Sequence, residues 1–359
     1  MNRNPVFTEY EARGAIFRGA VDLMRPEWAG LRGDDVQIAM DALPTLSSTA
    51  NSDIPAFLTT IVDPTVYDVI FAPNKGAEIL DEVKKGSWLD DTAMFPYMES
   101  TGEVSNYGDY SNNGMSNVNA NFPQRQALLY QTFVQYGERE MERADLARLS
   151  WAAANQKSAI TVLNKYQNLT YHFGVQGLAN YGLTNEPGLS AALTPGPKAN
   201  GGVQWVKNGA INATPNEIYV DFQAMVQQIQ NQTAGVVDDN DEMVFVYPNT
   251  IATALTTANT FNTKIKELIL ENYPKVRFVK DPLYGAVSTT NPQGITGGNL
   301  VQLWVRKLEG KDVGYCAFNE KLRTHRMIFE ASSFKQKLTQ GTWGAVIRYP
   351  AAAAQMIGV

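Results

Sequence analysis

The side chains able to do chemistry are few and scattered. There are two histidines, His172 and His325, and one cysteine, Cys316. No CxxC or HExxH spacing joins them, so none of the usual zinc patterns is written in the chain. Cys316 lies in an alternating stretch and reads as a buried strand residue acting as a small apolar group. A nucleophilic pairing with His325 is the competing reading. Each histidine reads as an ordinary surface or core residue. No Walker-type phosphate loop occurs. Gly294-Ile295-Thr296-Gly297-Gly298 is a flexible turn without the strand that a dinucleotide fingerprint needs. No serine sits in a GxSxG elbow. The run Asp238-Asp239-Asn240-Asp241-Glu242 is the best metal candidate. It lacks the glycine and spaced glutamate of a calcium loop, so it reads first as a solvated turn before an apolar strand. No catalytic residue, metal or cofactor is expected.

The bulk numbers narrow the class further. A chain of 359 residues can bury a full core without disulfides. Charged residues make up 18 %, below the usual level of about 25 %. The net charge of −6 lacks the basic face of a nucleic-acid reader. The single cysteine reads as a reducing context. No apolar run approaches the ~20 residues that span a bilayer, and no apolar signal core follows Met1.

The elements that must position any site read as follows. Residues 1 to 44 look like an arm with short helices at 9–24 and 34–43, stopped by Pro26 and Pro44. Residues 45–66 read as extended, and 75–85 as a short helix or turn. Residues 91–127 are rich in Asn, Ser, Gly and Tyr, with Asn113-Gly114 as a hairpin-turn signal. That hairpin has few residues for a core of its own, and an isolated ribbon is marginal in water. Its tyrosines and asparagines suit either sugar binding or adaptable contacts between subunits. The second reading explains the missing core. Residues 128–136 alternate as a strand, and 138–166 read as one long helix with acids at its start.

Beyond it, 167–213 read as loop. Residues 215–320 read as an α/β unit: helices at 221–232, 249–257 and 263–272, and strands at 243–247 and 276–279. A β-hairpin of 300–308 with 313–318 turns at Glu309-Gly310-Lys311. Residues 325–349 read as two antiparallel strands with Gly341 in the turn, and the apolar end at 349–354 should pack.

Several stretches carry a resemblance: Ala39-Met40-Asp41-Ala42-Leu43-Pro44-Thr45-Leu46, Asn51 through Thr60, Asp63-Pro64, Lys85-Gly86-Ser87-Trp88, and Glu99-Ser100-Thr101-Gly102-Glu103-Val104 with Tyr107-Gly108-Asp109-Tyr110-Ser111. They continue with Tyr136-Gly137-Glu138-Arg139-Glu140, Gly177 through Pro187, and Thr342 through Pro350. In this order the chain resembles the major capsid proteins of tailed bacteriophages, with the HK-ninety-seven-type shell fold.

The resemblance implies an α+β fold: N-terminal arm at 1–60, a first part of the peripheral domain at 61–90, an extended β-hairpin loop at 91–127, and the peripheral domain at 128–190 with a spine helix at 138–166. The axial α/β domain follows at 191–322, and C-terminal strands at 323–359 return to the peripheral domain. It also implies self-assembly as hexamers and pentamers into an icosahedral shell around double-stranded DNA, in a virion built in the bacterial cytoplasm. Expected partners are further copies, a separate scaffold, a portal and decoration proteins, with no sequence-specific DNA contact and no membrane. Arm-like sequence from the start leaves no room for a scaffolding segment. The absence of lysine between 86 and 156 argues against lysine–asparagine cross-links from the hairpin. Contacts between copies are expected at Tyr107, Asp109, Tyr110, Asn113, Gly114, Arg125, Glu138 and Arg139. The alternatives are an encapsulin-like compartment shell and, behind it, an α/β enzyme or sugar-binding protein.

Overall fold

The computed structural model describes residues 74–110, 113–146, 150–259, 262–289 and 291–359. The arm, its two helices, and the stretches at 39–46, 51–60 and 63–64 lie outside the described residues.

The first elements are helix α1 (Gly76–Ile79) and strands β1 (Glu82–Lys84), β2 (Thr92–Met94), β3 (Tyr97–Gly102), β4 (Ser116–Asn121), β5 (Gln124–Gln126) and β6 (Leu128–Gly137). Helices α2 (Glu138–Leu146) and α3 (Trp151–Phe173) follow, then β7 (Val206–Lys207), β8 (Ala210–Ile211), α4 (Pro215–Gln232) and β9 (Met243–Tyr247). The rest are α5 (Ile265–Asn272), β10 (Val276–Lys280), β11 (Leu300–Val305), β12 (Lys307–Leu308), β13 (Lys311–Asp312), β14 (Gly314–Phe329), β15 (Ser333–Ile347) and β16 (Ala353–Ile357).

Two four-stranded sheets organise the chain, in the orders β1-β14-β15-β6 and β10-β9-β11-β16. In the second sheet every residue of β9 and β11 is buried, as central strands covered on both faces must be. One face packs under α4 and α5 through Phe222, Met225, Ile229, Phe245 and Leu303. The other face meets α1 and the C-terminal end of α3 through Val244, Val246, Trp304, Tyr171 and Leu183. The first sheet packs one face on the middle of α3 through Val134, Tyr136, Leu338, Ala159 and Leu163.

The helix expected at 138–166 is two helices. Ser150 leaves helical geometry (φ −80°, ψ 69°) while its carbonyl accepts from the Ala154 N–H, the position that serine favours at a helix start. The second helix also runs past 166 to Phe173. Its last turns carry Gln167, Asn168, Thr170, Tyr171 and His172, polar by type yet buried and hydrogen-bonded, so composition read them as loop. Gly174, at φ +62°, ends it. At 23 residues, α3 is roughly 35 Å long.

Five further expectations change. The 300–318 hairpin is not one: β11 pairs β9 and β16, whereas β14 joins the other sheet, and only the short β12–β13 pair closes at Glu309-Gly310. The chain diverges there because β11 enters one four-stranded sheet and β14 the other, although Trp304 and Cys316 still meet in a shared core. Gly341 is not in a turn but inside β15, opposite Leu129 and Glu320. A Cβ there would overlap the Asn319 side chain, so glycine is needed for close approach. The turn falls at 330–332 instead. Finally, the 323–359 segment does not return whole to the first sheet, because β16 completes the second. Its alanines fit a strand packed closely under α4. Residues 249–257 form two 3₁₀ turns rather than a helix, and 75–85 divides into α1 and β1.

Candidate assembly interface

The hairpin at 91–127 is built as a fixed foot and a free ribbon. At the foot, β2 pairs β5, and Ala93, Phe95 and Ala127 pack on Tyr315, Ala317, Trp343 and Val346. The Gln126 N–H donates to Ala179 O at 3.0 Å, and Asn180 Nδ2 donates to Gln126 O at 3.1 Å. The Tyr97 hydroxyl donates to Ile347 O at 3.1 Å, and its burial raises the phenol above its ordinary value.

Arg125 holds the foot most firmly. Its Nη2 donates to Glu186 Oε1 at 2.6 Å, and its guanidinium lies 4.7 Å from the Tyr181 ring centre. Both side chains are buried, so Arg125 anchors the foot within the chain. Sequence reading grouped it with the hairpin by position. The alternation of β5, exposed–buried–exposed, is what turns it inward. Glu186 and Tyr181 were missed, because nothing in their local pattern marks them as its partners. Burial raises the Glu186 carboxyl, and the Arg125 charge opposes that rise.

Beyond the foot, β3 and β4 form a ribbon with no helix or further strand on either face among the described residues. Directly paired residues share a face, which puts Met98 with Ala120 and Ser100 with Val118 on one side. Glu99 with Asn119 and Thr101 with Asn117 take the other. Met98 is 75 % exposed, and Val118 and Phe122 are also exposed. This is an apolar row left uncovered among the described residues.

The tip extends from 103 to 115. Asn113-Gly114 does not close a two-residue turn; Gly114, at φ +92°, sits on the returning side of this longer loop. There the Glu103 N–H donates to Met115 O and Ser105 Oγ donates to Asn113 O. The Tyr107 ring is 92 % exposed, with its hydroxyl on Asp109 Oδ1 at 2.8 Å, and Tyr110 is fully exposed. Tyr107, Asp109, Tyr110, Asn113 and Gly114 therefore gather at one projecting tip. Glu138 and Arg139 are exposed at the start of α2, on a different part of the molecule. Their neighbour Glu140 does more: it accepts from the Gly137 N–H and from Trp151 Nε1, tying α2 to the start of α3.

The candidates for chemistry are occupied structurally. Cys316 is buried, its thiol pushed up by desolvation and placed against Gly76 O at 3.5 Å. His325 bonds Thr339 Oγ1 at 3.0 Å, so no Cys–His pair forms. His172 is wholly buried, with Nδ1 2.7 Å from Asn168 O and Nε2 2.7 Å from Asp281 Oδ2. The acidic run is a turn in which the Asp238 N–H donates to Asp241 Oδ2 and Gln230 Nε2 donates to Asp239. Among the described residues, no cluster of His, Cys, Asp and Glu could hold a metal, and no helix is long and apolar enough to cross a membrane.

A family model described as Pa193 gp26 major capsid protein matches residues 45–358. No curated protein matches the chain. Among solved structures, the chain is similar to the capsid of Myoviridae Phage XM1. The two are 12 % identical, with 86 % of this chain and 100 % of that one covered and a TM-score of 0.68. It is also similar to the structure of Microbacterium phage Oxtober96, at 11 % identity, 84 % and 96 % coverage and a TM-score of 0.55. The capsid of the native GTA particle matches at 9 % identity, 83 % and 94 % coverage and a TM-score of 0.55. These likenesses show the α+β HK-ninety-seven-type fold.

Proposed function

The chain belongs to the Pa193 gp26 major capsid protein family, and from that premise we propose how this phage shell protein builds its shell and with what partners. Copies assemble as hexamers and pentamers that close into an icosahedral container for double-stranded DNA, in the cytoplasm of a bacterial host. The sheet that carries α3 serves as the peripheral domain, the sheet under α4 and α5 as the axial domain, and the N-terminal segment as an arm to adjacent copies. A scaffold, a portal and decoration proteins complete the set of partners. The chain performs no catalysis; its work is self-association.

The observation that carries this reading is the hairpin. Its foot is tied by a buried ion pair and backbone bonds, yet its apolar row and its tyrosine-bearing tip stand in solvent. A ribbon of that kind gains a core from a neighbour. A repeated, symmetric assembly supplies one neighbour per copy. Negative-stain imaging of the purified protein tests the proposal, with closed particles expected. A monomer on a sizing column at every concentration, with no particles, would overturn it.

A further inference from the structure

Of the eleven methionines, Met1, Met24 and Met40 lie outside the described residues. Exposure divides the other eight. Met225, Met243 and Met356 are buried, and Met141 and Met327 pack in part against the core around α3. The remaining three stand in solvent: Met94 is 61 %, Met98 75 % and Met115 78 % exposed. All three belong to the hairpin, Met94 at the end of β2, Met98 in the apolar row and Met115 where the tip returns to β4. Ala93 packs inward at the foot, so the alternation of β2 turns Met94 out.

Peroxides convert exposed methionine to its sulfoxide. The sulfur lone pair takes one oxygen of hydrogen peroxide as the O–O bond breaks, and water leaves. The sulfur is oxidised by two electrons and the peroxide is reduced. The competing sulfur, Cys316, is buried and desolvation pushes its thiol up, so it offers no thiolate. The product is strongly polar. On the free ribbon a sulfoxide stays in water and costs the fold almost nothing. Beneath a neighbour it must be desolvated beside Ala120 and Val118, whose side chains offer it no hydrogen bond.

We propose that Met94, Met98 and Met115 form an oxidation site through which peroxide withdraws the unassembled chain from assembly. The sulfoxides leave the subunit folded and raise the cost of covering its ribbon. Enzymatic reduction of the sulfoxides, in which a dithiol gives up two electrons and the oxygen departs as water, returns the subunit to the assembling pool. Once a neighbour covers the ribbon, Met98 is shielded, so the switch acts before closure and not after it. The inference rests on the shell reading above, in which the ribbon gains its core from another copy.

Hydrogen peroxide added to the unassembled full-length chain tests it, with peptide mass spectrometry reading each site. Met94, Met98 and Met115 should each gain one oxygen well before Met225, Met243 and Met356 do, with circular dichroism and melting unchanged. The critical concentration for assembly, followed by light scattering, should rise about tenfold as the sulfoxides are desolvated. Methionine sulfoxide reductases should restore it. The variant Met94→Leu with Met98→Leu and Met115→Leu keeps the apolar row without sulfur and should assemble equally well with and without peroxide. In closed shells Met98 should oxidise more slowly than in the free chain. Oxidised wild-type chain that assembles at the untreated concentration, or a leucine variant that peroxide still blocks, would overturn the proposal and leave the shell reading intact. So would Met98 reacting in shells as fast as in the free chain. A wild-type chain that forms no shells before any oxidant is added would remove the shell reading, and this inference with it.

Discussion

Arg125 and Glu186 form a buried ion pair at 2.6 Å that joins the foot of the hairpin to the loop after α3. The two residues are 61 positions apart. Their side chains are 10 % and 7 % exposed, so the pair is insulated from water on both sides. It makes the foot rigid, and a rigid foot fixes where the free ribbon projects.

Removing one partner therefore costs more than the bond. Arg125→Ala strands a carboxylate in the interior and should destabilise the unassembled chain by about 3–5 kcal/mol, read from urea unfolding at neutral pH. Burial already places the Glu186 carboxyl above its ordinary value of 4.5. The folded chain thus takes up that proton at a higher pH than the unfolded one. Lowering the pH from that raised value towards 4.5 adds stability, so the deficit of the variant should shrink on acidification. A deficit that grows instead would contradict the assignment.

His172 and Asp281 make the second buried link, between α3 and the end of β10. Both ring nitrogens lie 2.7 Å from oxygens, the Asn168 carbonyl and the Asp281 carboxylate. Asp281 Oδ1 also accepts from the Leu283 N–H at 2.9 Å. Asp281→Ala should cost about 3–5 kcal/mol, with faster amide exchange in the last turn of α3 and in β10. A loss below about 1 kcal/mol would show that the pair does not hold the two sheets together.

Much of this architecture could be read from residue order. The strand over 128–136, the start of α2 with its acids, and the buried β9 follow directly from local periodicity and charge. The break at Ser150 does not, because no proline or glycine marks it. The last turns of α3 were hidden by polar residues that tertiary partners satisfy. The divergence of β11 from β14 was hidden because adjacent strands with a Glu-Gly turn look locally like a hairpin. On the hairpin, Tyr107 and Tyr110 were legible as large side chains without a local core. The inward turn of Arg125 was not legible, because whether a strand residue faces in or out depends on what lies 61 residues away.

Thr214 and Glu217 cap α4 reciprocally, the Thr214 hydroxyl accepting from the Glu217 N–H and Glu217 Oε2 accepting from the Thr214 N–H at 2.7 Å. Thr214→Ala should cost about 1 kcal/mol. The Thr214 and Ala199 N–H groups hold the Glu217 carboxyl below 4.5. Its contribution is present above 4.5 and is lost as the pH falls through the lower folded value. Glu217→Gln should therefore flatten the stability curve below pH 4.5, measured by urea titration across pH 2.5–7. An unchanged acid limb would remove Glu217 from the account.

The tip separates stability from assembly. The Tyr107 and Tyr110 rings bury almost nothing within the chain, and the Tyr107 hydroxyl bonds Asp109, itself exposed. Tyr107→Ser with Tyr110→Ser should therefore change the unfolding free energy of the unassembled chain by no more than about 0.5 kcal/mol. Any loss of shells then reports contacts that exist only between copies, where each aromatic ring has area to bury. Light scattering during assembly is the measurement, with a raised critical concentration expected. If the double variant assembles at the wild-type concentration, the tip does not touch a neighbour, and the ribbon's apolar row must carry the contact alone.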